Sequence, residues 1–199
     1  MVYRIFVEKK PELANEAAAL KNELSTLLGI RNLESVRIIN RYDVENIEEE
    51  LFSYAKKTVF SEPQLDIIYD SVEAEAGERI FAIEALPGQF DQRAASAAEC
   101  IQLISQKERP TVKTAKVYIL KGDLSAEDFA AVKTYLINPV ESREASLSLP
   151  ACWREKHHTA IATTMLNSRR LHGVESLNIK SSQRVALHFV QFGTHLHSI

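Results

Sequence analysis

The sequence predicts an α/β fold of the α+β two-layer sandwich type, in which helices cover one side of mainly antiparallel sheets. Two observations support this prediction. Short apolar runs alternate along the chain with stripes in which apolar residues recur every three or four positions. The order strand–helix–strand–helix occurs in residues 1–75 and again in residues 76–150. Self-similarity of this kind indicates two copies of one supersecondary unit.

The first unit opens with a predicted strand over residues 2–8, whose alternation gives it one apolar face. Pro11 follows at a position that the first turn of a helix tolerates, and Gly29 is the expected stop. The helix between them has one apolar stripe, formed by Leu13, Ala17, Leu20, Leu24 and Leu27. A second strand is predicted over residues 35–42 and a third apolar run over residues 65–69. In the shorter helix between these two, the residues expected to face inward are Ile47, Leu51 and Tyr54.

The second unit repeats this order. Its first strand is predicted over residues 79–85, an offset of 77 from residue 2, and its second over residues 111–120. Asp91 is the predicted N-cap of the helix between them, whose stripe comprises Ala94, Ala97, Ala98, Ile101 and Ile104. Ser125 and Asp128 predict a capped last helix, with its inward residues Phe129, Val132 and Leu136. Two half-exposed sheets from such units can pack back to back.

Composition predicts an ordinary cytoplasmic globular protein. The chain has 199 residues, of which 45% are hydrophobic and 26% charged, enough to build a core. A net charge of −3 gives no reason to expect nucleic-acid binding. The start of the chain turns polar too soon for a signal peptide, and no stretch approaches the ~18 apolar residues of a membrane span. Two cysteines are no disulfide framework, so a reducing compartment is expected.

The composition changes after residue 150. Residues 1–150 carry 18 Lys and Arg against 25 Asp and Glu, whereas residues 151–199 carry 6 against 2, which reverses the sign of the net charge. All six histidines lie in this second part of the chain. We therefore treat residues 1–150 as one duplicated domain and residues 151–199 as an atypical tail.

No catalytic, cofactor-binding or metal site is predicted. Cys100 lies within a predicted helix beside the alanine stripe, and residues 1–150 contain no histidine to act as a base, so a buried structural thiol is favoured over a nucleophile. The six glycines are too scattered for a phosphate-binding loop. The histidines of the tail lack the spacing of a closed metal site.

The stretch from Pro87 to Arg93 allows two interpretations. In the first it serves folding alone: Pro-Gly makes the turn, Asp91 caps the helix and Phe90 packs as a hydrophobic staple. In the second interpretation the stretch binds a ligand or a partner, because the helix cap does not require Gln89, Gln92 or Arg93. Their donors at one helix start suit a carboxylate, a phosphate or the backbone of a partner. Both interpretations remain open, and the candidate docking residues are Gln89, Asp91, Gln92 and Arg93.

Several collinear stretches resemble the N-terminal region of phosphoribosylformylglycinamidine synthase (FGAM synthase), in its large single-chain form. They are VYRIFVEKK, LLGIRNLESVRIINRYDVENI, KTVFSEP, LPGQFDQRAASAAECIQLI, ERPTVKTAKVYIL and YLINPVESREASL. The resemblance extends from Met1 to about Leu147. It implies a domain similar to a fused dimer of the separate small subunit of multi-subunit enzymes, which agrees with the duplication.

The family uses ATP, magnesium and glutamine to convert formylglycinamide ribonucleotide to formylglycinamidine ribonucleotide in purine biosynthesis. Its synthetase and glutaminase regions are expected elsewhere, so the resemblance implies a non-catalytic assembly domain that docks onto those regions. A surface built to face other domains also predicts self-association. The alternative function is a stand-alone regulatory α/β module that binds a small molecule.

Residues 151–199 resemble nothing in that family. Their abrupt change of composition suggests a fragment whose tail is translated out of frame, and the alternative is a divergent, disordered extension. The coding sequence downstream of codon 147 distinguishes these hypotheses.

Overall fold

Strands and helices alternate along the chain in a computed structural model that describes residues 1–150 and residue 152. The strands of the described part are β1 (Val2–Lys9), β2 (Leu33–Glu45), β3 (Asp66–Tyr69), β4 (Glu78–Ala85), β5 (Thr111–Gly122) and β6 (Ser142–Ala145). Its α-helices are α1 (Asn15–Leu27), α2 (Glu49–Thr58), α3 (Gln92–Ser105) and α4 (Ala126–Leu136), and a 3-10 turn spans Pro11–Leu13. The predicted tail lies outside the described residues, apart from Cys152.

The strands form one six-stranded antiparallel sheet in the order β3-β1-β2-β5-β4-β6, which confirms the predicted α+β sandwich. Within residues 1–150 the two units do not form separate sheets packed back to back, since β2 and β5 join them edge to edge along nearly their whole length. These are the two longest strands, of 13 and 12 residues. Their pairing satisfies two rows of backbone N–H and C=O groups that separate sheets would leave exposed.

The duplication is visible in the register of the sheet. The starts of β1 and β4, residues 2 and 78, are 76 residues apart, as are those of β3 and β6, residues 66 and 142. The predicted offset of 77 is therefore one too long for the strands. It holds for the helices, because the N-caps Ala14 and Asp91 are 77 apart. Asn40 pairs with Lys116, 76 residues later, so the pseudo-two-fold axis passes through this pair.

Helices α1 and α3 each contact a strand of their own unit, β2 and β5, and each also packs into the core of the other unit; we call this sharing the exchange of helices. One core cluster combines Leu20 and Leu24 of α1 with residues of the second unit, namely Phe81, Tyr118, Leu120 and Val132. The other combines Ala97 and Ile101 of α3 with residues of the first unit, namely Ile5, Val7, Tyr42, Val44, Phe52 and Ala55. Both clusters lie on the face of β2 that carries its even-numbered residues, and each unit therefore completes the core of the other.

The opposite face of the sheet has its own apolar cluster, formed by Phe6, Ile39, Ala82, Ala115, Val117, Ile119 and Ala145. Beside it lies a buried ion network centred on Asp43. Arg4 donates to both Asp43 carboxylate oxygens, over 2.5 and 2.9 Å, and Arg41 Nε lies 3.3 Å from one of them. Burial lowers the pKa of the Arg41 guanidinium, and the Asp43 carboxylate opposes this shift.

The same two arginines hold the chain where it leaves the sheet. Arg41 Nη1 donates to the carbonyl oxygen of Ser146 over 2.8 Å, and Arg4 Nη1 donates to that of Leu147 over 2.6 Å. Both side chains are positioned by Asp43, so one buried carboxylate fixes the path of the segment after β6.

Several predicted core residues are exposed. Most central positions of the helical stripes are buried, but Tyr54 in the middle of α2 is exposed, as are three residues at or near helix ends, namely Leu13, Leu27 and Ile104. Phe52 rather than Tyr54 enters the core of α2, because the face that points to β1 and β2 is rotated from the predicted one. The predicted caps are confirmed: Asp91 accepts from Ala94 N, and Ser125 forms a capping box with Asp128. The described part of the chain contains no helix that is long and apolar enough to span a membrane.

Candidate functional site

The candidate docking residues lie on a turn that is braced from inside the domain. Leu86 N donates to Glu141 O over 2.9 Å and Gln89 N donates to Leu86 O over 3.0 Å, which closes the turn that precedes α3. Gly88 adopts a φ of 94°, a conformation that residues with a Cβ rarely reach. The turn therefore rests on the segment before β6 and presents its side chains at one end of the sheet.

Asp91 is occupied by structural contacts. One carboxylate oxygen accepts from Ala94 N over 2.9 Å, and the other accepts from the hydroxyl and the N–H of Thr114, over 2.7 and 3.2 Å. The side chain thus caps α3 and ties it to β5. A purely structural role therefore accounts for every hydrogen bond of the Asp91 side chain.

The other three candidates keep polar groups at the surface. Gln89 Nε2 donates to Val140 O over 3.3 Å, and Arg93 Nη1 donates to the Tyr42 hydroxyl over 3.3 Å. Gln92 lies on the exposed first turn of α3. Gln89, Gln92 and Arg93 are all exposed, and they lie together because they are close in sequence.

Phe90 is not a staple. Its side chain is 80% exposed, and the neighbouring Val140 is 72% exposed, so the turn carries apolar surface as well as amides and a guanidinium. The corresponding positions of the first unit hold Leu13, which is 42% exposed, and Gln64. From the sequence pattern alone, an apolar residue beside a helix N-cap predicts a hydrophobic staple. The direction of the turn determines that Phe90 points outward instead.

Cys100 is exposed, so the prediction of a buried thiol is wrong. The buried side chains of α3 are Ala94, Ala97, Ala98 and Ile101. Cys100 immediately precedes Ile101 and lies off this stripe, because neighbouring helix positions are rotated by about 100°. Cys100 is therefore not a core residue.

The exposure of Cys100 has a direct chemical test. In a Cys152→Ala chain, one thiol is expected to react with a water-soluble disulfide reagent in the native state, at a rate similar to that of a free cysteine, because α3 leaves Cys100 open to solvent. The measurement is absorbance of the released thiolate without denaturant. Labelling that requires denaturant would contradict the exposure.

A groove of about 470 Å³ lies between the start of α2 and the end of α3. Its apolar lining comes from both units and consists of Ile47, Leu51, Ile101 and Pro110. Lys107 Nζ lies 2.6 Å from Glu48 Oε1 and so links its two sides, and both side chains are more than half exposed. No local feature of the sequence indicates this groove, because its two walls, residues 46–51 and 101–110, are distant along the chain and meet only in the folded structure.

In residues 1–150 and 152, no group of three or more His, Cys, Asp or Glu side chains has the arrangement of a metal site. The histidines on which a metal hypothesis would depend lie outside the described residues. Neither a protein-family model nor a curated protein matches the sequence.

Proposed function

We propose that this chain is a non-catalytic assembly domain of an FGAM synthase, and that it acts in the cytoplasm. The collinear resemblance of residues 1–147 supports the proposal. The architecture is compatible with it, since two repeats that share a sheet and exchange helices are what a fused small-subunit dimer requires. By this proposal ATP and magnesium bind the synthetase region, outside this chain, and glutamine is hydrolysed in the glutaminase region.

The observation that carries the assembly role is the exposed turn before α3. Phe90 and Val140 are largely exposed there, beside Gln92 and Arg93. Aromatic and arginine side chains dominate the binding energy of protein interfaces, particularly at the centre of a patch. The turn is braced by backbone hydrogen bonds, so little conformational entropy is lost when a partner orders it. We therefore assign this turn to the contact with the synthetase region.

Substitution of the turn tests the assembly role. Phe90→Ala is expected to weaken binding to the separately expressed catalytic remainder of the synthase about thirtyfold, since burial of an aromatic anchor contributes about 2 kcal/mol. Gln92→Ala/Arg93→Ala is expected to weaken it about tenfold. Titration calorimetry with the full 199-residue chain measures both affinities.

The first unit supplies a matched control. Asn15 and Glu16 occupy the start of α1 as Gln92 and Arg93 occupy that of α3, and both are exposed. Asn15→Ala/Glu16→Ala is expected to leave the affinity within twofold. Unchanged affinity of the Phe90 and Gln92/Arg93 variants would reject the docking turn, and absence of binding by the unmodified chain would reject the assembly role.

One observation favours the second candidate, a stand-alone regulatory module that binds a small molecule. The α2–α3 groove has a volume within the range of ligand sites, which is roughly 300–1,000 Å³, and its lining combines apolar residues with polar and charged ones. Thermal shifts with glutamine, ATP, ADP and formylglycinamide ribonucleotide separate the two functions, because a ligand of the folded state raises the midpoint of unfolding.

A further inference from the structure

The α2–α3 groove is present at only one of two pseudo-symmetric places. The exchange of helices creates a second junction, where the end of α1 meets the start of α4. The helices repeat at an offset of 77, so Ser105 and Lys107 of the groove correspond to Leu28 and Ile30. The second junction can therefore be compared residue by residue with the groove.

The second junction is filled with apolar side chains. Ile30, Leu33 and Leu124 are buried there, with exposures of 4, 4 and 5%, and Leu28 packs against the same cluster. At the groove, Lys107 replaces Ile30 and turns outward to pair with Glu48. The smaller Ser105 replaces Leu28. The groove is thus open because apolar residues that close its counterpart are absent.

The lining of the groove has two chemical parts. Ile47, Leu51, Ile101 and Pro110 give an apolar surface, and Ile101 is fully buried beneath it. The charged part holds two carboxylates, Glu48 and Glu108, and one ammonium group, Lys107. The C-terminal end of α3 adds the negative end of a helix dipole on the same side as Glu108, whereas the positive end of the α2 dipole already faces Glu48.

We propose that this groove binds a small apolar cation, that is, an alkyl or aryl group that carries one ammonium group. The apolar part lies against Ile47, Leu51 and Ile101. The ammonium group pairs with Glu108 and competes with Lys107 for Glu48. The Glu48–Lys107 pair is solvent-exposed and exposed pairs are weak, so its opening costs little. The proposal does not depend on the assembly role, since a docked domain and a stand-alone module carry the same groove.

Three probes of similar shape test the chemical class. Phenethylammonium, 2-phenylethanol and 3-phenylpropanoate differ chiefly in charge, and each is titrated into the ¹⁵N-labelled full chain at low salt. Phenethylammonium is expected to bind saturably, with a dissociation constant of about 1 mM or tighter, which suits a ligand of this size. The shifted amides are expected within residues 46–51 and 101–110. The carboxylate is expected to bind at least tenfold more weakly.

Two variants locate the site. Glu48→Gln/Glu108→Gln is expected to weaken the ammonium probe about tenfold and to strengthen the carboxylate probe, because Lys107 then has no acidic partner in the lining. Ser105→Leu/Lys107→Ile introduces the residues of the closed counterpart and is expected to abolish binding of all three probes while the chain stays folded. If that variant fails to fold, the Glu48→Gln/Glu108→Gln variant still tests whether the groove is the binding site.

Three outcomes would overturn the proposal: stronger binding of the carboxylate to the unmodified chain, amide shifts confined to other residues, or no saturable binding of any probe. Each differs from a failure of the assembly role, which is measured by affinity for the catalytic remainder.

Discussion

Asp43→Ala is expected to lower the free energy of unfolding by about 3–5 kcal/mol, because it leaves two buried arginines without their shared carboxylate. The side chains of Asp43, Arg4 and Arg41 are 1, 8 and 3% exposed. Removal of one partner from such a network leaves an uncompensated buried charge, which costs more than the lost hydrogen bonds. Urea denaturation monitored by circular dichroism measures the change in the full chain.

Two further variants separate charge from shape. Asp70→Ala removes the carboxylate of an exposed pair with Lys56, and its effect is expected to stay within about 1 kcal/mol. A triple variant, Arg4→Met/Asp43→Leu/Arg41→Met, removes the whole network and keeps its volume, so it is expected to be more stable than Asp43→Ala. If Asp43→Ala were as mild as Asp70→Ala, the network would not be buried as the structure shows.

Neither unit is expected to fold as a monomer when it is expressed alone. Residues 1–75 contain α1 and β2, which contact each other, but they lack the residues of the second unit, namely Phe81, Tyr118, Leu120 and Val132, that complete the core around the fully buried Leu24. Residues 76–199 similarly keep β5, which α3 contacts, but they lack the residues of β1 and β2, namely Ile5, Val7, Tyr42 and Val44, that cluster with Ile101 of α3. Each fragment loses about half of the shared core, and domains of this size are only marginally stable. We expect no cooperative unfolding transition from either fragment at micromolar concentration.

Mixing the fragments is expected to restore the fold. β2 and β5 belong to different fragments, so their pairing and both core clusters re-form between chains. Recovery of helical circular dichroism at a 1:1 ratio, with co-elution on size exclusion, is the measurement. A fragment of residues 1–75 that is monomeric and unfolds cooperatively would contradict the exchange of helices.

Local signals in the sequence were sufficient for the order of elements and for the caps. Asp91 and Ser125 were predicted as N-caps because a short polar acceptor at a helix start acts on N–H groups only two or three residues away. Strand alternation likewise indicated the apolar face of β1. These features depend on neighbours in sequence, and they match the structure.

Features that depend on distant residues were not predictable. The apolar stripe of α1 shows that Leu20 and Leu24 are buried, but it does not show that they cover strands of the other unit. Cys100 was assigned to the core from its position beside apolar residues, and one of the two interpretations of residues 87–93 made Phe90 a staple. The rotation of a helix and the direction of a turn decide the exposure of these two side chains. The α2–α3 groove needs Lys107 and Glu48 to meet, and they are 59 positions apart.

The fusion of two repeats into one sheet has a consequence for how the surface of this protein can change. In an assembly of two identical chains, any substitution alters both symmetry-related places at once. Here Asn40 faces Lys116 across the pseudo-two-fold axis, so equivalent positions already hold different chemistry. One junction is closed by Ile30 and the other carries Lys107. A single chain of this kind can keep one half as scaffold while the other half acquires a new contact.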